Sequence, residues 1–258
     1  MNRRYDLVIL DFHGTQTDHA LRVIRAYHDA AKEMRDMTFG KEFYQQLLTR
    51  PMQVNDGTSH KDYIWELWSG ISDDGQERFY RAFRASMDET FIPVPGMRPM
   101  CRALADRGVA LALLTNGTNK EDIQKTLRRW GMDTLTPFLY CSHEIGAKKP
   151  NPAAIEYVLG DMNNRGFGMT AARTLVVGDY RGDIEAAAAA GADSALIVRV
   201  HSALSLKIVE PRPTHIICDP RELIAVVDGS RDPETRAEIP LRPLLWQHEG
   251  GLRGAERG

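Results

Sequence analysis

Asp11, Asp179 and Asp183 offer three carboxylates, Lys149 an amine, Thr115 a hydroxyl and His13 an imidazole. Asp11, Thr115 and Asp179 each sit at or just past the end of a short apolar run, and Lys149 stands immediately before Pro150-Asn151-Pro152, which opens a helical stretch. Phosphoryl transfer needs an oxygen nucleophile, a divalent cation and positive charge on the equatorial oxygens, all held in line. A carboxylate serves equally as nucleophile and as a hard oxygen ligand for such a cation, so this set of residue types has a candidate for each requirement.

The elements that must position these groups are readable from the apolar pattern. The runs over 7–10, 109–114 and 174–177 are short, continuous and followed by Asp11, Thr115-Asn116-Gly117 and Gly178-Asp179, which reads as buried parallel strands ending in polar loops. Weaker strand candidates lie at 195–198 and 215–217. Helical patterns over 98–107, 120–130, 152–159 and 184–191 alternate with them, so the expected fold is α/β, a Rossmann-like doubly wound parallel sheet with ligands bound at the carboxyl edge.

The interval after the first run breaks this rhythm. Only amphipathic helical stretches appear there, over 19–34, 61–68 and 76–87, which predicts an inserted all-helical cap. The expected division is a core of residues 1–15 and 93–228, a cap of 16–92, and a tail of 229–258, partly disordered or docked through Trp246. Pro93-Val94-Pro95-Gly96 is the stiff return point, and with Thr17 it marks the expected hinge.

The four segments Asp11-Phe12-His13-Gly14-Thr15, Thr115-Asn116, Lys149-Pro150-Asn151-Pro152 and Gly178-Asp179-Tyr180-Arg181-Gly182-Asp183, in this order, resemble the motifs of the haloacid dehalogenase-like superfamily, in its helical-cap subgroup. The resemblance implies a Mg²⁺-dependent hydrolase, a phosphatase or phosphotransferase of a small phosphorylated metabolite, working through an aspartyl-phosphate. Asp11 is then the nucleophile. Asp11, Asp179, Asp183 and the main-chain carbonyl of His13 form the metal site, Lys149 neutralises Asp11 and the phosphoryl group, and Thr115 with the backbone N–H of Asn116 binds the transferred oxygens. Structural roles compete at four positions: Asp11 at a strand end also suits hydrogen bonds to loop amides, Lys149 or its neighbour Lys148 also suits an ordinary surface lysine, Asp183 the first turn of a helix, and Thr115 the cap of a turn.

One residue departs from the pattern. Phosphatases of this family usually carry a second aspartate two residues after the nucleophile, where this sequence has His13. The metal ligand there is a carbonyl and is unaffected, but the acid and base steps fall to an imidazole, and leaving groups that need little protonation suffer least. The same first segment also resembles that of phosphonoacetaldehyde hydrolases, which use a cap lysine as a Schiff base on a phosphonate substrate. Lys61 is the candidate for that role, with His60 beside it in the turn-rich stretch 55–60, although Ser59 as a helix N-cap accounts for the same residues. A third reading is a catalytically silent relative that keeps the metal and anion pocket as a binding or scaffold protein.

Composition narrows the partners. With 33 basic and 35 acidic residues among 258, the formal charge is -2, which gives no electrostatic footprint for nucleic acid or anionic membranes. Three widely spaced cysteines without a CxxC pair fit a reducing compartment, and no stretch near Met1 reads as a leader or a span, so a cytoplasmic monomer or homodimer is expected. His19 and Arg22 are expected on the solvated face of the first cap helix, and Trp65 with Trp68 in the core of the cap.

Overall fold

The computed structural model describes residues 3–34, 40, 43, 64–66, 72–89, 91–117, 119–198 and 210–231. Six parallel strands form one sheet: β1 (Leu7–Leu10), β2 (Ala110–Thr115), β3 (Phe138–Cys141), β4 (Thr174–Gly178), β5 (Asp193–Ile197) and β6 (His215–Ile217), in the order β3-β2-β1-β4-β5-β6. All four residues of β1 are buried, because the strand lies mid-sheet with Leu7 in register with Ala110 on one side and Thr174 on the other. One layer of core packs β1, β2 and β4 side chains (Leu7, Ile9, Leu114, Val176) against the apolar faces of helices Ala153–Asn164 and Arg181–Ala189. The Rossmann-like α/β architecture expected from the sequence is therefore present.

β3 was not expected from the sequence. It is a four-residue edge strand that starts directly after Pro137, and only its last two residues are fully buried, so it lacks the long apolar run of a central strand. The short helices Ser142–Ile145 and Glu222–Val227 are likewise additions.

Two compact units divide the described residues, with boundaries at Thr17/Asp18 and Ile92/Pro93. The first boundary falls two residues beyond the expected one because the amides of Gln16 and Thr17 both donate to the Phe12 carbonyl and Thr17 bridges to Pro93, tying them into the sheet unit. The second unit is helical where it is described. Helices His19–Glu33 and Asp73–Glu89 pack through Tyr27, Phe79 and Phe83, with ring centroids of Tyr27 and Phe83 4.9 Å apart. The second of these helices begins three residues before the predicted stretch, where Asp73 and Asp74 suit the positive end of the helix dipole. Arg22 departs from its expected solvated place: it is buried, donates to the Met87 carbonyl and lies 4.1 Å over the Phe91 ring. Residues 64–66 are helical and Trp65 is half-buried, while Trp68, Trp246 and the tail beyond residue 231 lie outside the described residues. No described helix is long and apolar enough to cross a membrane.

The edge of the sheet away from the motifs carries a buried polar group. Tyr5 Oη donates to Asp193 Oδ2 at 2.6 Å and lies 3.1 Å from His215 Nε2, while His215 Nδ1 is buried with no hydrogen-bond partner among the described residues. Burial lowers the His215 pKa from its ordinary 6.5, and Arg4 and Arg231 add to the effect against Asp193. The folded protein therefore binds fewer protons than the unfolded chain below about pH 6.5, and this group makes stability fall as pH drops through that range, by at most about 1.4 kcal/mol per pH unit. His215→Gln keeps a donor toward Tyr5 and removes the titration. Urea denaturation at pH 7.5 and 5.5 is expected to show a smaller acid loss in the variant than in the wild type, and equal losses would refute the assignment.

Candidate active site

β1 ends at Leu10, and Asp11 continues toward β4 by donating its amide to the Val177 carbonyl at 2.9 Å. The nucleophile candidate thus leaves the middle of the sheet at its carboxyl edge. Asp11 is 8% exposed, enough to be reached but not to be solvated. β2 and β4 deliver Thr115 and Asp179 to the same edge from either side.

Lys149 joins these segments. Its Nζ lies 2.6 Å from Asp11 Oδ1, 2.6 Å from Asp183 Oδ1 and donates to the Leu114 carbonyl at 2.7 Å, with 5% of the residue exposed. All three ammonium protons are therefore satisfied by the protein. Its main chain is held by a residue whose side chain the sequence reading did not use: Asn116 Nδ2 donates to the Lys149 carbonyl at 2.8 Å, and Lys149 N–H donates to Asn116 Oδ1 at 3.0 Å. An Asn directly after a strand-ending Thr and before Gly117 is the signal for such a side-chain bridge.

Asp179 and Asp183 come from the turn after β4 and the first turn of helix Arg181–Ala189. Asp183 Oδ2 accepts from the Tyr180 amide at 3.3 Å, which orients its other oxygen toward Lys149. Thr15 Oγ1, a second contact not anticipated from the sequence, donates to Asp179 Oδ1 at 3.2 Å. Glycine is required at Gly14, where φ is +84° and a Cβ would fall 2.1 Å from Asp179 Oδ2. At Gly178 a Cβ would fall 2.1 Å from Asp183 Cγ, so both glycines make room for a carboxylate.

The charge balance of this cluster is uneven. Among the described residues, Asp11, Asp179 and Asp183 each offer an oxygen, all within 4.8 Å of one another, and Lys149 brings one ammonium to Asp11 and Asp183. Burial pushes the Asp11 carboxyl above the usual carboxylate range; Lys149 opposes this, and Asp183 and Asp179 add to it. Burial raises Asp183 in the same way, with Lys149 opposing and Asp179 adding. For Lys149 burial acts downward, but Asp11 and Asp183 outweigh it and keep the ammonium protonated. A divalent cation fits the donor set, because three hard oxygens are gathered within 4.8 Å of one another.

Thr115 is fully buried at the end of β2, and its Oγ1 accepts the Gly117 amide at 3.0 Å, leaving the hydroxyl proton to be donated. His13 reaches toward the same loop. A Cβ at Gly117 would lie 2.8 Å from His13 Nε2 and 3.2 Å from Thr115 Oγ1, and the imidazole meets the Phe12 ring edge-on at 5.1 Å. Asp11, His13, Thr115, Asn116, Lys149, Asp179 and Asp183 are thus gathered at one sheet edge, whereas His60 and Lys61 lie outside the described residues.

Residues 8–197 match the haloacid dehalogenase-like hydrolase family, which covers every one of these segments. The chain belongs to that family. This haloacid dehalogenase-like hydrolase is 29% identical over 180 residues to a phosphoglycolate phosphatase of Pseudomonas fluorescens, an alignment covering 66% of this chain and 63% of that protein, so it spans just under two thirds of that relative. It is 28% identical over 225 residues to the phosphoglycolate phosphatase of Pseudomonas savastanoi, covering 84% of this chain and 78% of the relative. Among solved structures, a HAD-hydrolase of Bacillus subtilis bound to magnesium superimposes with a TM-score of 0.64 at 19% identity, over 87% of this chain and 99% of that one, which places the fold of this hydrolase with that family.

Proposed function

We propose that the protein is a Mg²⁺-dependent phosphatase or phosphotransferase of small phosphorylated metabolites that works through an aspartyl-phosphate on Asp11. The observation that carries this reading is the buried Lys149 bridging Asp11 and Asp183 with Asp179 in the same oxygen cluster. Asp11 attacks phosphorus as the bond to the leaving oxygen breaks, and His13 gives that oxygen its proton. Water then attacks the aspartyl-phosphate, His13 takes a proton back, and orthophosphate leaves with Asp11 restored. Lys149 neutralises the nucleophile and the phosphoryl oxygens, and the Thr115 hydroxyl with the Asn116 N–H donates to those oxygens. Asp11, Asp179, Asp183 and the main-chain carbonyl of His13 would hold Mg²⁺, which supplies Lewis-acid charge to the phosphoryl group.

On this reading the helical unit acts as a cap that excludes water and sets specificity. The names of the relatives put phosphoglycolate first among compounds to try. The three free thiols, two of them buried, support a reducing cytoplasm.

Phosphate release from phosphoglycolate, other phosphorylated metabolites and acyl phosphates, with Mg²⁺ between pH 5 and 8, tests the reading. Wild type is expected to turn over acyl phosphates better than alkyl esters, and His13→Asp to raise ester turnover about 10-fold or more, since a well-placed acid and base is worth about 10²–10⁴ in rate. Silence of both proteins across the panel would sink it.

A further inference from the structure

Three large hydrophobic side chains are exposed among the described residues: Tyr157 at 47%, Phe167 at 44% and Tyr180 at 48%. Two of them rest on other rings, Phe167 on Phe138 at 5.3 Å and Tyr157 on Tyr140 at 6.2 Å. Tyr180 has no ring partner among the described residues, and it is the one that follows Asp179 directly. Its position is fixed from both sides of the peptide: its amide donates to Asp183 Oδ2 at 3.3 Å, and its carbonyl accepts the Asp183 amide at 3.1 Å. The ring lies along the start of helix Arg181–Ala189. A Cβ at Gly182 would touch Tyr180 Cδ1 at 3.6 Å, the Pro150 nitrogen at 3.7 Å and the Lys149 carbonyl carbon at 3.8 Å. An uncovered aromatic face is thereby held beside the segment that carries Lys149, on the rim of the oxygen cluster.

Resting on the phosphatase reading, we infer that Tyr180 is a specificity residue that stacks against a planar leaving group, so that aryl or heterocyclic phosphoric monoesters are preferred over small aliphatic ones. A tyrosine suits this place because its ring offers a large, rigid apolar face while its hydroxyl stays wetted.

The test uses ground-state binding rather than turnover. Calorimetric affinities of phenylphosphonate and methylphosphonate are measured in the presence of Mg²⁺ for the full-length wild type, Tyr180→Phe and Tyr180→Ala. The wild type is expected to prefer phenylphosphonate by about 3- to 10-fold, the scale of one aromatic pair. Tyr180→Phe retains that ratio, and Tyr180→Ala brings it close to unity. A ratio that survives in Tyr180→Ala, or a wild type that binds both phosphonates equally, overturns the inference while leaving the anion site intact. An equal loss of both affinities in Tyr180→Ala also overturns it, assigning Tyr180 a purely structural role. If the wild type binds neither phosphonate, the phosphatase reading fails and the inference falls with it.

Discussion

Asp11→Asn is expected to abolish phosphate release, by on the order of 10³-fold or more, while leaving the metal-free protein at least as stable as the wild type. The two effects have one cause. Asn is nearly isosteric and still accepts from Lys149 through its amide oxygen, but it has no carboxylate to attack phosphorus. It also removes one of three buried carboxylates that crowd within 4.8 Å of one another around the Lys149 ammonium among the described residues. Burial and the neighbouring acids already push the Asp11 carboxyl upward, so discharging it relieves repulsion instead of breaking a needed pair. Phosphate release with Mg²⁺, together with thermal unfolding in a chelator, checks both halves. Residual turnover near the wild-type rate would remove Asp11 from the mechanism.

Lys149→Met is expected to lose both activity and stability. The methionine fills similar volume but leaves Asp11 and Asp183 buried opposite each other without their shared ammonium. Breaking a buried ion pair from one side costs about 3–5 kcal/mol. Its pH dependence follows from the sign of the carboxylate shifts. Both carboxyls are raised above 3.8 in the fold, and without Lys149 they rise further, so the folded variant takes up protons that the unfolded chain does not. The variant therefore gains stability relative to wild type as pH falls from 8 toward 5. Urea denaturation across that range should show the gap narrowing, and added Mg²⁺ at pH 8 should narrow it too. A gap independent of both would mean that Lys149 is not compensating the carboxylates.

The sequence made the central strands legible because burial on both faces leaves an unbroken apolar run, as in Leu7–Leu10 and Thr174–Gly178. β3 escaped because an edge strand of four residues needs no such run, and helix Glu222–Val227 because a short, evenly apolar stretch carries no helical period. At the site, Asp11, Lys149, Asp179 and Asp183 were legible through the resemblance of four ordered segments to a family's motifs, and the structure gathers their side chains at one sheet edge. The roles of Asn116 and Thr15 were not, because spacing places a residue at an edge without saying whether its side chain turns to a ligand, to a backbone or to another side chain. Arg22 failed for a related reason: helical period put it on a polar face, and only the tertiary fold laid Phe91 and the Met87 carbonyl against it.

The pairing of β1 with β4 has a consequence for how the protein is made. Leu7 is in register with Thr174, so the strand that carries Asp11 emerges from the ribosome long before the neighbour that carries Asp179. At about 5–20 residues per second, roughly 9 to 34 s separate the synthesis of Asp11 from that of Asp183. Through that interval β1 has β2 at most on one flank, and its other edge offers unpaired amides and carbonyls to any extended chain nearby. The carboxylate cluster around Asp11 is therefore completed only once β4 and Asp183 are made, and the same delay leaves the nascent segment before β4 exposed to aggregation and to chaperone capture.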